Sequence, residues 1–240
     1  DFEFPDLLGA AHTHLLPQRR GEVDAYVLSV ALDSDPVFGR EAREAAKVLS
    51  RRYDAAGRTV VLGGTDGSAP SPLPMGSPVH VEAAIARIAE LMDPAEDVLI
   101  LYTTSHGMPY GIIYSDGNEG YGAISPVRLA QLLDSFGLHR RLLIVSACYS
   151  GVFVPVLSGP QTMIVSAASS DRSSFGWVAE NDWAYFGGAL INRALRKPQP
   201  LGAAVSEAIG LIADWERQGN LKPSLPQPSM GDAVKHWLAP

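Results

Sequence analysis

Val98-Leu99-Ile100-Leu101-Tyr102-Thr103-Thr104 runs without a break into Ser105-His106-Gly107, and Leu142-Leu143-Ile144-Val145-Ser146-Ala147 runs in the same way into Cys148-Tyr149-Ser150-Gly151. Apolar runs of this length, with no polar alternation, read as central parallel strands buried on both faces. Val23 to Leu32, Thr59 to Leu62 and Thr162 to Ala167 read as further strands. Between them lie helical patterns. Residues 37–54 carry Val37, Ala42, Ala45, Ala46, Val48 and Leu49 on one face, and 79–92 (VHVEAAIARIAELM) are strongly amphipathic. Residues 125–137 open on a Ser cap and a first-turn proline and close at Gly137, and residues 183–196 and 201–218 read as two more helices. Residues 63–78 and 168–182 read as loops. Residues 107–124 read as a small hairpin around Asp116-Gly117-Asn118, and the Pro-rich tail closes on a short helical stretch near 231–238. This alternation predicts an α/β fold: a three-layer α/β/α sandwich around a mostly parallel central sheet.

The chain has 240 residues, enough for one domain with a sizeable core. We expect residues 1–22, with Pro5, Pro17 and Arg19-Arg20-Gly21, to form an N-terminal arm, and residues 23–240 to form the single domain. The net charge of −7, from 26 acidic and 19 basic residues, argues against a nucleic-acid partner. No apolar run approaches the ~20 residues that span a bilayer. The single cysteine excludes an internal disulfide and a Cys-rich zinc site, and no cofactor is implied. A start at Asp1 rather than Met reads as a trimmed or mature form. That leaves a leader or membrane anchor upstream open, and with it the localisation: cell envelope or periplasm in that case, cytoplasm otherwise. Oligomeric state is not legible.

In open parallel sheets, ligands bind at the carboxyl ends of the strands. If strands 98–104 and 142–147 are neighbours, His106 and Cys148 face one cleft. A thiol beside an imidazole is the minimal nucleophile–base pair. Gly107 and Gly151 allow close backbone approach, and the N–H groups of Gly107 and Cys148 are candidate oxyanion donors. Taken singly, Cys148 also reads as a small core residue and His106 as a loop residue. There is no G-x-S-x-G elbow and no P-loop. Gly63-Gly64-Thr65-Asp66-Gly67 reads as a plain loop and Asp116-Gly117-Asn118-Glu119 as a plain turn.

Thr104-Ser105-His106-Gly107 and Ser146-Ala147-Cys148-Tyr149-Ser150-Gly151 resemble the paired motifs of the legumain family, cysteine endopeptidases that share a fold with caspases. His106 and Cys148 lie 42 positions apart (148 less 106), near the ~50 of caspases. Val37 to Glu41 resembles the family's arginine-bearing helix start. Ser166 to Gly176 resembles a pocket wall, and Asn181 to Gly187 a further pocket element. The likeness runs from about residue 23 to about residue 230 and looks closest to bacterial members. It implies a caspase-like fold, peptide or protein substrates, attack by Cys148 with His106 protonating the leaving amine, and cleavage after Asn or Asp. It also implies a zwitterionic specificity pocket from Arg40 and Asp182, with Ser146, Ser173 and Ser174 as further substrate-binding residues. Read alone, Arg40 is equally a solvated helix charge, and Asp182 equally a helix cap.

Three positions depart from the family pattern. Ser146 stands where animal and plant legumains carry an acid two residues before the nucleophile, and Ser105 stands where an acid often precedes the histidine. The Asn that orients that histidine in some members is replaced near Phe38. These departures leave Asn, Asp or another residue open at the cleaved position. Two rival readings stand beside hydrolysis: transpeptidation through the same acyl-enzyme, and a non-catalytic interaction module that kept the fold.

Overall fold

The computed structural model describes residues 9, 11, 14–63, 73–117, 120–176 and 183–236. Strand β1 (Ala25–Ala31) leads into helix α1 (Pro36–Arg52) and strand β2 (Thr59–Leu62). Helix α2 (Pro78–Leu91) and strand β3 (Val98–Thr104) follow. A short antiparallel sheet comes next: β4 (Gly107–Met108), β5 (Gly111–Ser115) and β6 (Tyr121–Ile124). Then come α3 (Pro126–Ser135), β7 (Arg141–Ser146), a 3-10 turn over Ser150–Phe153, α4 (Val154–Leu157) and β8 (Thr162–Ser166). Helices α5 (Tyr185–Leu190) and α6 (Leu201–Gln218), strand β9 (Gln227–Met230) and a 3-10 turn over Asp232–His236 complete the described chain.

The main sheet has the order β2-β1-β3-β7-β8-β9, and all pairs are parallel except β8 with β9. Its strands alternate between two cores. Val27, Ile100, Tyr102, Ile144 and Val165 pack under α1, α5 and α6. Leu28, Leu101, Leu143, Val145 and Ile164 pack under α2, α3 and α4. That is the expected three-layer sandwich, and it explains why β1, β3 and β7 read as unbroken apolar runs. Each fully buried Leu or Val there contributes roughly 1.5–3 kcal/mol.

Local chemistry explains most boundaries. Ser77 and Ser125 cap α2 and α3, accepting from the N–H groups of His80 and Arg128 at 3.2 Å each. Helix α1 starts at Pro36 and stops at Tyr53, where Asp54 turns left-handed with φ 50°. Two expectations need correction. The helix expected over 183–196 is α5 plus a 3-10 turn over Ala194–Arg196, because the Gly187 carbonyl accepts from both Ile191 N–H and Asn192 N–H, which interrupts the helical ladder after Leu190. The Pro-rich tail contains β9, in which Pro228 is tolerated because the strand lies at the sheet edge.

In the segment expected as an arm, Leu15 is buried, Leu16 N–H donates to Gly57 O, and Gln18 N–H donates to Leu91 O. The loop expected over 63–78 lies outside the described residues at 64–72, as do His12, Asn118 and Glu119. No helix among the described residues is long and apolar enough to cross a membrane.

The connection from β1 leads outward to β2, and the next one crosses back over β1 to β3. This reversal opens a crevice at the carboxyl ends of β1 and β3, the usual place for a ligand in such sheets.

Candidate active site

β3 and β7 pair with Thr104 opposite Ser146. His106 lies two residues beyond the first and Cys148 two beyond the second, so equal offsets bring both side chains to the same rim. Neighbouring strands run about 4.8 Å apart. Ser105 N–H donates to Ser146 O at 3.3 Å, which carries the pairing one step past the strand ends. Gly107 then passes directly over the nucleophile's backbone: a Cβ there would stand 1.9 Å from Cys148 O. Glycine is required at this position by close packing.

Cys148 is half-buried and is the chain's single thiol. Ser174 holds the sulfur through its backbone. Its N–H donates to Sγ at 3.3 Å, and Sγ donates to its carbonyl at 3.6 Å. The Cys148 N–H makes no hydrogen bond among the described residues. Tyr149 turns left-handed, with φ 56°, and donates its N–H to Arg172 O at 2.8 Å. This sharp turn lifts Cys148 from the strand end and ties it to segment 172–174. Ser150 and Gly151 complete the tie. Ser150 Oγ accepts from Ala168 N–H at 3.2 Å, and a Cβ on Gly151 would stand 2.5 Å from Ser170 N. The close approach expected of Gly107 and Gly151 is therefore made by the chain to itself.

His106 is exposed, and its ring meets Phe38 edge-on, with centroids 5.1 Å apart. Its carbonyl accepts from Ile113 N–H at 2.9 Å, so the small β4–β6 sheet braces the histidine loop. Asp33, just past β1, lies in the electrostatic field of His106. Burial raises the Asp33 pKa, opposed by the Asp35 N–H and by the His106 charge. Asp33 was not singled out from the sequence; its place at a strand end on the same rim was the available clue.

The expected pocket residues separate. Arg40 sits half-buried early in α1, Ser174 is buried against the thiol, and Ser173 is exposed beside it. Ser146 is fully buried, with its hydroxyl directed at Glu41 at 3.4 Å rather than into the cleft. Asp182, Asn181 and Trp177 lie outside the described residues. Trp183 is half-buried and lines a cleft of about 550 Å³ with Tyr185, Arg193 and Trp215, a cleft bordered by neither His106 nor Cys148.

Glu41 is the group that sequence reading missed most plainly. It is fully buried in α1, and among the described residues it has no ion pair. Thr104 Oγ1 donates to it at 2.5 Å and Ala184 N–H at 3.2 Å. Burial pushes its carboxyl up to about 7, against these hydrogen bonds, which favour the charged form. A charged residue adjoining Arg40 on a helix with an otherwise apolar buried face was the available signal.

A family model described as the peptidase C13 family matches residues 80–206, more than half of the chain and including both His106 and Cys148. Arg40 and Glu41 fall outside that match. Among solved structures, caspase-1 from Spodoptera frugiperda superposes with a TM-score of 0.58 at 13% identity, covering 90% of this chain and 92% of that one. At that identity the likeness concerns the fold. No curated protein sequence matches this chain.

Proposed function

Because this chain belongs to the peptidase C13 family, we propose that Cys148 and His106 are the catalytic pair of its peptidase site and that it cleaves after Asn or Asp. The family and the caspase-like fold make the chain a legumain-like cysteine peptidase, a hydrolase of peptide bonds. The observation that carries the assignment is the register of β3 and β7, which brings the only thiol and His106 to one rim at equal offsets.

In this mechanism the Cys148 thiolate attacks the scissile carbonyl carbon. The N–H groups of Cys148 and Gly107 receive the oxyanion as it forms. Collapse breaks the C–N bond, and the His106 imidazolium gives its proton to the departing amine. Water, deprotonated by His106, then attacks the thioester and releases the acid and the thiol. Arg40 reaches the substrate side chain from α1, Ser173 and Ser174 line its wall, and Asp182 accepts from a substrate amide.

The test is a peptide library varied at the residue before the scissile bond, run with and without an added amine nucleophile. Cleavage after Asn or Asp by the wild type, abolished in Cys148→Ala and reduced at least ~10³-fold in His106→Ala, is the expected result. Cleavage that survives Cys148→Ala refutes the assignment. Amine-capped products in place of acids would make the enzyme a transpeptidase.

A further inference from the structure

Glu41 meets, through one carboxyl group, three of the segments around the proposed site. Oε2 accepts from Thr104 of β3, two residues before His106, and from Ser146 of β7, two residues before Cys148. Oε1 accepts from the N–H of Ala184, which leads into α5. The carboxyl itself hangs from α1 one residue after Arg40. The fit on the α5 side is tight: a Cβ on Gly187 would stand 2.0 Å from Oε1, so only glycine leaves room for this carboxyl.

We propose that Glu41 is a positioning residue of the peptidase, whose buried carboxyl locks the ends of β3 and β7 and the start of α5 in the arrangement that presents His106 and Cys148. This rests on the peptidase reading above. Glu41 touches no substrate, since it has no exposed surface.

The lock depends on protonation. As the neutral acid, Glu41 gives its proton to one neighbouring hydroxyl and accepts from the Ala184 N–H. As the carboxylate it demands donors only, so the Thr104 and Ser146 hydroxyls must both turn toward it. It also places in the interior a negative charge with no cation paired to it among the described residues. The titratable group facing it is the buried phenol of Tyr102 in β3, whose hydroxyl favours the charged form of Glu41. From β7 it meets the Ser146 hydroxyl, and from the α5 side the Ala184 amide and the Gly187 backbone. Burial favours the neutral form up to about pH 7; above that the unpaired buried charge strains the arrangement although its three donors remain.

The test compares wild type, Glu41→Gln and Thr104→Val, each first checked for a cooperative thermal transition. Two readouts are followed from pH 5.5 to 8.5: kcat and KM on a cleaved peptide, and the rate of Cys148 alkylation by iodoacetamide, which is unambiguous with one thiol. Gln keeps the shape of the neutral acid and cannot ionise. The expected result is a wild-type kcat that falls about tenfold relative to Glu41→Gln between pH 6 and 8.5, with KM within twofold. The alkylation profile of Glu41→Gln should lose the wild-type inflection near pH 7. Thr104→Val should lower kcat about tenfold at every pH.

Superimposable profiles for wild type and Glu41→Gln in both assays, with peptides still cleaved, overturn the positioning role and leave the peptidase reading intact. Absence of cleavage by the wild type, with the alkylation profile still altered in Glu41→Gln, supports the lock and removes the peptidase reading instead.

Discussion

Gly107→Ala isolates the contact that joins the two halves of the site. A Cβ at this position would stand 1.9 Å from Cys148 O, 2.9 Å from Cys148 C and 3.0 Å from the Ala147 Cβ. Gly107 is not among the residues with positive φ, so alanine suffers no dihedral strain there and the effect is steric. A tolerable carbon–oxygen separation is above about 3 Å, so the histidine and cysteine loops must part by roughly 1 Å. Misplacement on that scale costs on the order of 100-fold in rate. Overpacking adds about 1–3 kcal/mol of instability, or roughly 2–12 °C in Tm for a chain of this size. We expect kcat/KM to drop about 100-fold while the fold persists, measured by peptide hydrolysis beside thermal unfolding. Activity within threefold of wild type would refute the claim that this glycine sets the distance between His106 and Cys148.

Other substitutions should act on stability alone. Gly210→Ala, in α6 where a Cβ meets nothing within 4 Å, should raise stability by about 0.5–1 kcal/mol in chemical denaturation and leave activity unchanged. Ser125→Ala removes the acceptor for the Arg128 N–H and should cost about 1 kcal/mol in the same assay. Glu41 should make stability fall with rising pH. Its folded pKa of about 7 exceeds its ordinary value of 4.5, so between these limits the native state holds more protons than the unfolded chain. The slope of unfolding free energy against pH is then negative, worth roughly 3 kcal/mol across the window and level above it. Glu41→Gln should remove this component, read from denaturation midpoints between pH 5 and 8.

Much of this was written locally. The apolar runs Val98–Thr104 and 142–147 declared buried parallel strands, because a strand covered on both faces shows no alternation of polar and apolar side chains. The serine and proline at 125–126 declared a helix start, because capping acts within one turn, whereas the equivalent pair at 77–78 was read as the end of a loop. From the strands alone, the carboxyl-end rule already singled out His106 and Cys148. β9 was not legible, since Gln227-Pro228-Ser229-Met230 has no strand character of its own and pairs only because β8 offers a free edge. The shortened α5 was obscured in the same way: Gly187 answers to the Glu41 carboxyl, 146 positions earlier in the chain.

The sequence by itself determined the layers, the strand ends and the two residues fit for thiol chemistry, since these follow from periodicity and side-chain type over short spans. Tertiary structure alone decided that Thr104 pairs with Ser146, that Gly107 lies on the Cys148 carbonyl, that the Ser174 backbone holds the sulfur, and that Glu41 accepts from Thr104, Ser146 and Ala184 together. These are contacts between segments dozens of residues apart. Their geometry is set by how the helices close over the sheet, and nothing in a local window of sequence encodes it.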